Sequence, residues 1–160
     1  MRTYDIEKRE EIEEVIRACK TCYLAMSVDD KPYVLPMNFA FEGDTVILHS
    51  AQEGRMWESI LKNPNVCINW TLGEELAWQN VQVGCSYRVK SKSVVLEGTV
   101  EFIDDFDEKY RCLELLMKQY SDREFKFGTP AVKNVGIFKV HISALGAREF
   151  GAKAITPWNS

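Results

Sequence analysis

A chain of 160 residues with 46% hydrophobic and 28% charged side chains suits one globular domain, spanning 1–160, with a core of its own. Its net charge of −4 argues against nucleic acid as a partner, because a phosphate backbone calls for a basic face. No apolar run approaches the ~20 residues of a membrane span, and Met1-Arg2-Thr3-Tyr4-Asp5 lacks a signal-like apolar segment, so a cytoplasmic protein with no membrane contact is expected.

The stretch 5–18 reads as a helix, with Ile6, Ile12, Val15 and Ile16 on one side and Glu7, Lys8, Arg9, Glu10, Glu13 and Glu14 on the other. A short strand follows over 22–28, and Asp29-Asp30-Lys31-Pro32 has turn chemistry. A second strand covers 33–41. Pro36 inside it implies an edge, a bulge or an interrupted ladder. Glu42-Gly43-Asp44 closes a hairpin onto a third strand, 45–49. A helix over 53–61 is stopped by Asn63-Pro64-Asn65, and 66–71 is another strand.

The segment 74–85 reads as a loop with a lid-like role. A long strand or bent pair occupies 87–103, with Gly98 as the bend. Asp104-Asp105 caps a helix running to 120. A loop over 125–133 leads to the last strand, 135–144, and the tail from 146 has no periodicity. Strict βαβ alternation is absent. The pattern predicts a mainly β protein, an antiparallel barrel with helices plugging its ends.

Cys19, Cys22, Cys67, Cys85 and Cys112 make an odd number of cysteines, which favours free thiols over a disulfide framework. The lone Cys19-Lys20-Thr21-Cys22 follows a helical pattern and enters a strand, the reverse of a thioredoxin-like site. His49 and His141 are not at paired spacing, so no metal site is expected.

The segment Leu48-His49-Ser50-Ala51-Gln52-Glu53-Gly54-Arg55 has the character of a phosphate-holding turn. A strand ends in small polar residues and enters a helix whose first N–H groups are free. Ser50 supplies a hydroxyl and Arg55 a planar cation. His49 is the one candidate acid/base group; capping the strand end is the plainer role open to it. Trp57, Trp70 and Trp158 read as core or interface residues, and Trp78 as the tryptophan best placed to reach a ligand.

Several segments in order carry a resemblance. They are Tyr33-Val34-Leu35-Pro36-Met37-Asn38-Phe39, the His49 to Arg55 loop, Asn63-Pro64-Asn65-Val66, and Lys92-Ser93-Val94-Val95-Leu96-Glu97-Gly98, ending in Asp104-Asp105. Together they resemble the pyridoxamine 5'-phosphate oxidase-like, FMN-binding split-barrel superfamily, in its nitroimidazole-resistance (Nim-related) branch. The resemblance implies a six-stranded antiparallel split β-barrel of Greek-key type and a homodimer with FMN in a groove at the interface. It sets Pro36, Met37, Asn38 and Phe39 along the flavin ring, His49 and Ser50 at the phosphate end, Arg55 as the basic residue of the first helical turn, and Lys92 and Ser93 as the basic and polar pair of the long strand. Met56 departs from the family pattern, which commonly has a second cation there. The implied activity is an FMN-dependent oxidoreductase acting on a small organic molecule, nitroreductase-like, with a nicotinamide cofactor visiting as electron donor. A non-catalytic flavin- or haem-binding protein on the same scaffold is the alternative. A pyridoxamine phosphate oxidase proper is disfavoured by the short chain and by the lack of a basic segment in Thr156-Pro157-Trp158-Asn159-Ser160.

Overall fold

The computed structural model describes residues 3–151. Trp158 and the segment 156–160 lie outside them. In chain order the elements are β1 (Thr3–Asp5), α1 (Arg9–Ala18), β2 (Cys22–Val28), β3 (Lys31–Met37), β4 (Phe39–Glu42), β5 (Thr45–Ser50), α2 (Arg55–Lys62), β6 (Asn65–Ala77), β7 (Arg88–Ile103), α3 (Phe106–Lys118), α4 (Thr129–Asn134) and β8 (Gly136–Phe150). The eight strands form one sheet in the order β3-β2-β6-β7-β8-β5-β4, with β1 beside β8.

Eight strands rather than six have two causes. The run expected as one strand over 33–41 changes partner at Asn38. Met37 still pairs with Cys22 of β2, whereas Phe39 pairs with Leu48 of β5. Strands β3 and β4 stand at opposite ends of the strand order, so the chain must leave one ladder before it joins the other. The Phe39 N–H donates instead to the Tyr120 hydroxyl at 2.9 Å. The second cause is β1, whose Thr3, Tyr4 and Asp5 pair with Phe150, Glu149 and Arg148. That pairing also moves the start of the first helix from residue 5 to Arg9, since the Ile6 N–H is engaged by the Ala147 carbonyl at 2.9 Å.

By contacts the chain divides into two compact units. The first comprises, of the described residues, 3–19, 70–95 and 146–151. Its α1 buries Ile12, Val15 and Ile16 and carries an outer ladder in which Glu13 accepts from Arg9 at 2.9 Å and Arg17 at 3.3 Å. The loop expected over 74–85 is shorter than its sequence implied, because β6 continues to Ala77. What remains is held by its own side chains. The rings of Trp78 and Tyr87 stack at 5.5 Å, Ser86 Oγ donates to the Asn80 carbonyl at 2.8 Å, and Tyr87 donates to the Val81 carbonyl at 2.9 Å.

The second unit comprises Lys20–Asn69 and Leu96–Leu145. Here β2 pairs antiparallel with β3 across Asp29 and Asp30, both at positive φ (51° and 58°), a twist that suits a two-residue hairpin and that Asp tolerates. On its other edge β2 pairs with β6, and β5 lies between β4 and β8. Asp105 caps α3 by accepting from the Glu108 N–H at 2.9 Å. Ile103, Cys112 and Leu116 pack with Ala40, Ile47 and Ile137 in a buried cluster. Strand β7 runs unbroken through Gly98, so the glycine is not a joint between two strands. A Cβ there would lie 2.4 Å from the His141 carbonyl oxygen, and the close approach of β8 excludes any side chain. The loop expected over 125–133 contains α4, in which Val132 is the one buried residue, too little apolar pattern to announce a helix.

Candidate functional site

Where β3 gives way to β4, the second unit has an open cavity of about 420 Å³, within the size range of small-molecule sites. One wall is Leu35, Pro36 and Met37 from the end of β3, continued by Asn38 in the break. The other is His49 and Ser50 from the end of β5 with Met56 from α2, and Thr21 closes the rim. The partner switch at Asn38 therefore does more than divide a strand: it opens the space between the two ladders. Tyr120 secures it, accepting from Phe39 on one side and donating to the Lys20 carbonyl at 3.0 Å on the other.

The polar groups of the wall have distinct states. His49 Nδ1 is buried with no hydrogen-bond partner among the described residues. Burial lowers the pKa of the ring, so at neutral pH it is uncharged, with one donor and one acceptor nitrogen. Ser50 Oγ donates to the Ala51 carbonyl at 2.7 Å; to donate to a ligand the hydroxyl must turn.

The turn from β5 into α2 is anchored from outside itself. Gln52 Nε2 donates to the carbonyls of Lys133, Asn134 and Val135 at 3.2–3.3 Å. Trp57 lies edge-on to Phe102, centroids 4.9 Å apart, and to Phe138 at 6.2 Å. A Cβ on Gly136 would sit 2.6 Å from the indole, so glycine at the start of β8 is what lets α2 settle. Gly54, at φ +89°, turns the chain into the helix and leaves its first turn without a side-chain cap. Arg55 is then the first helical residue, exposed, with its guanidinium 4.1 Å from the centroid of the Tyr33 ring.

Of the residues singled out from sequence, Pro36, Met37, Asn38, His49 and Ser50 come together around the cavity. Phe39 has a fully buried side chain that belongs to the core, leaving it a backbone role. Arg55 is on the helix that supplies Met56 to the wall. Met56 is buried, so an apolar thioether occupies the position where a second cation was expected. Lys92 and Ser93 lie on β7 in the first unit. Strand alternation puts Lys92 on the face of buried Val94 and Leu96, and Ser93 on the face of exposed Val95. Thr21, Leu35, Tyr33 and Tyr120 were not anticipated. Tyr33 shares the face of Leu35 and Met37 by its spacing of two, a signal present in the sequence; Tyr120, 81 residues from Phe39, left none.

Other chemistry is sparse. Among the described residues no group of three or more His, Cys, Asp or Glu could hold a metal ion, and no helix is long and apolar enough to cross a membrane. The five cysteines are free thiols. Burial pushes Cys112 up to about 11, which keeps it an inert thiol. His141 is held by the Glu101 carboxylate.

The pyridoxamine 5'-phosphate oxidase family model matches residues 8–149. A candidate 5-nitroimidazole antibiotic resistance protein of Bacteroides thetaiotaomicron is 38% identical, over 92% of this chain and 87% of that one, with a TM-score of 0.83. A flavocytochrome of Azotobacter vinelandii is similar at TM-score 0.80 and 18% identity, covering 95% of this chain and 72% of that one. An FAD- and haem-binding protein of Mycobacterium smegmatis gives 0.83 at 14% identity, with 95% and 76% covered. These last two bear on the fold alone: mainly antiparallel β with flanking helices, of the split-barrel class. No curated protein matches.

Proposed function

The chain belongs to the pyridoxamine 5'-phosphate oxidase family, in its nitroimidazole-resistance-related branch, and from that premise we propose that it is an FMN-dependent oxidoreductase acting on a small organic molecule, nitroreductase-like in its chemistry. The observation that carries the reading is the cavity between residues 35–38 and 49–50, with the buried, unpartnered Nδ1 of His49 in its wall. A buried polar atom without a partner is costly unless something supplies its hydrogen bond. A flavin ring edge, rich in donors and acceptors, is suited to do so.

When bound, FMN supplies hydride and electron transfer at its ring. The protein's part is placement. Leu35, Pro36 and Met37 offer an apolar wall for a flat ring, and Asn38 offers an amide at its edge. Neutral His49 would form a hydrogen bond at its buried nitrogen and is the candidate proton carrier. Arg55 and the uncapped first turn of α2 would hold the phosphate. We assign Lys92 and Ser93 to the same cofactor on the strength of the sequence resemblance alone. A nicotinamide cofactor would visit as electron donor.

The working form in this proposal is a homodimer whose second copy completes the groove. Supporting it is the outer face of β2 and β3, where Tyr23 is 47% and Val34 59% exposed and Tyr23 is paired with Pro36 and Val34 with Ala25. That apolar face adjoins the cavity through Pro36 and calls for a cover. Light scattering should give the mass of two chains; a monomer at working concentration would remove the shared groove.

The decisive test is the visible spectrum of the purified protein before and after adding FMN. Flavin bands on the protein, with binding in the micromolar range or tighter, are expected. A colourless protein that takes up no FMN at micromolar concentration would overturn the proposal.

A further inference from the structure

We infer that Tyr33 is a positioning residue for the phosphate-binding guanidinium of Arg55, holding it in one place before any ligand arrives. The inference rests on the FMN reading above and adds to it a residue that touches no cofactor. The guanidinium carbon lies 4.1 Å from the Tyr33 ring centroid, well inside cation–π range. Arg55 is exposed and makes no ion pair among the described residues. The aromatic face is thus what distinguishes one rotamer of this long side chain from the many it would otherwise sample.

The geometry favours ligand capture rather than competing with it. A ring face, unlike a carboxylate, offers the guanidinium no oxygen acceptor, so its N–H donors remain for the phosphate onto which they can fork. Both supports are rigid. Tyr33 is in the β2–β3 ladder opposite buried Met26, on the same strand face as Leu35 and Met37. Arg55 starts a helix locked by Trp57 against Phe102 and Phe138. Ordering an arginine at the moment of binding costs rotamer freedom, and a cation already stacked has lost part of it beforehand.

The test compares FMN with riboflavin, which lacks the phosphate, by titration of protein freed of flavin. In Tyr33→Leu the preference for FMN over riboflavin should fall about two- to fivefold. Tyr33→Phe, which keeps the ring, should retain it. In an Arg55→Ala background Tyr33→Leu should add nothing, because the two residues act as one unit. An unchanged preference in Tyr33→Leu, with Arg55→Ala lowering it, would overturn the role of Tyr33 and leave the FMN reading standing. Failure of the unmutated protein to bind either flavin would overturn both. Should Tyr33→Leu not fold, as judged by circular dichroism, Tyr33→Val carries the same comparison on a better strand former.

Discussion

Two connections in this molecule make opposite use of similar residues. The turn at 51–54 and the loop at 78–87 are both polar links out of a strand, with glycine, amide side chains and a nearby tryptophan. The loop at 78–87 supports itself: Trp78 stacks on Tyr87, Ser86 bonds back to Asn80, and Tyr87 to Val81. The turn at 51–54 is held by residues far away in sequence, through Gln52 to 133–135, Trp57 to Phe102 and Phe138, and Gly136 beneath the indole. A self-supporting loop can change without disturbing its surroundings. A turn tied to three other segments presents fixed backbone N–H groups and a fixed cation, which is what a binding site needs.

The sharpest way to break this contrast is Trp57→Ala. Removing a half-buried indole should cost about 3 kcal/mol of stability, read as a lower urea midpoint, and should weaken FMN binding as α2 loosens. Arg55→Ala comes next. Loss of one charge-assisted phosphate contact, about 1.5–3 kcal/mol, should weaken FMN tenfold or more while leaving riboflavin unaffected. Retained FMN affinity would show that the phosphate is gripped elsewhere.

A smaller effect belongs to His49. Its folded pKa is lowered by burial, so as pH falls through about 6.5 the unfolded chain binds the proton first. The stability contributed by the neutral ring is complete above that pH and declines below it, until the folded pKa is reached. His49→Gln should flatten this slope between neutral and mildly acidic pH in denaturant titrations; an unaltered slope would place its cause at another group. The smallest effect is expected in the self-supporting loop. Asn80→Ala should change stability by no more than about 1 kcal/mol and leave FMN affinity alone. A large loss of affinity there would show that the loop has a share in binding.

Much of the site was legible because its residues are local. His49, Ser50 and Arg55 lie within one turn of chain, so residue type and spacing brought them into view, and Pro36, Met37 and Asn38 lie on one strand whose motif carries the family resemblance. The wall they form together was not legible as a space, because it depends on β3 and β4 changing partners at Asn38, and nothing in Met-Asn-Phe announces which ladder each side joins. Phe39 shows what the break decides. Its type and place suit core or groove packing alike, and the switch of ladder puts its side chain in the core. Helix α4 and strand β1 were missed for related reasons, one having a single buried side chain and the other existing only because 148–150 lies alongside it.

By itself the sequence determined the mainly β class, the two hairpins, the cap of α3 and the family to which the chain belongs, since these depend on period, turn chemistry and short motifs. Only the tertiary structure decided that Tyr120 would secure the break, that Gly98 and Gly136 answer to close neighbours rather than to bends, and that Arg55 would rest on Tyr33. Each of these is a contact between segments tens of residues apart. It comes into being when long-range pairing closes the sheet, and no local preference encodes it.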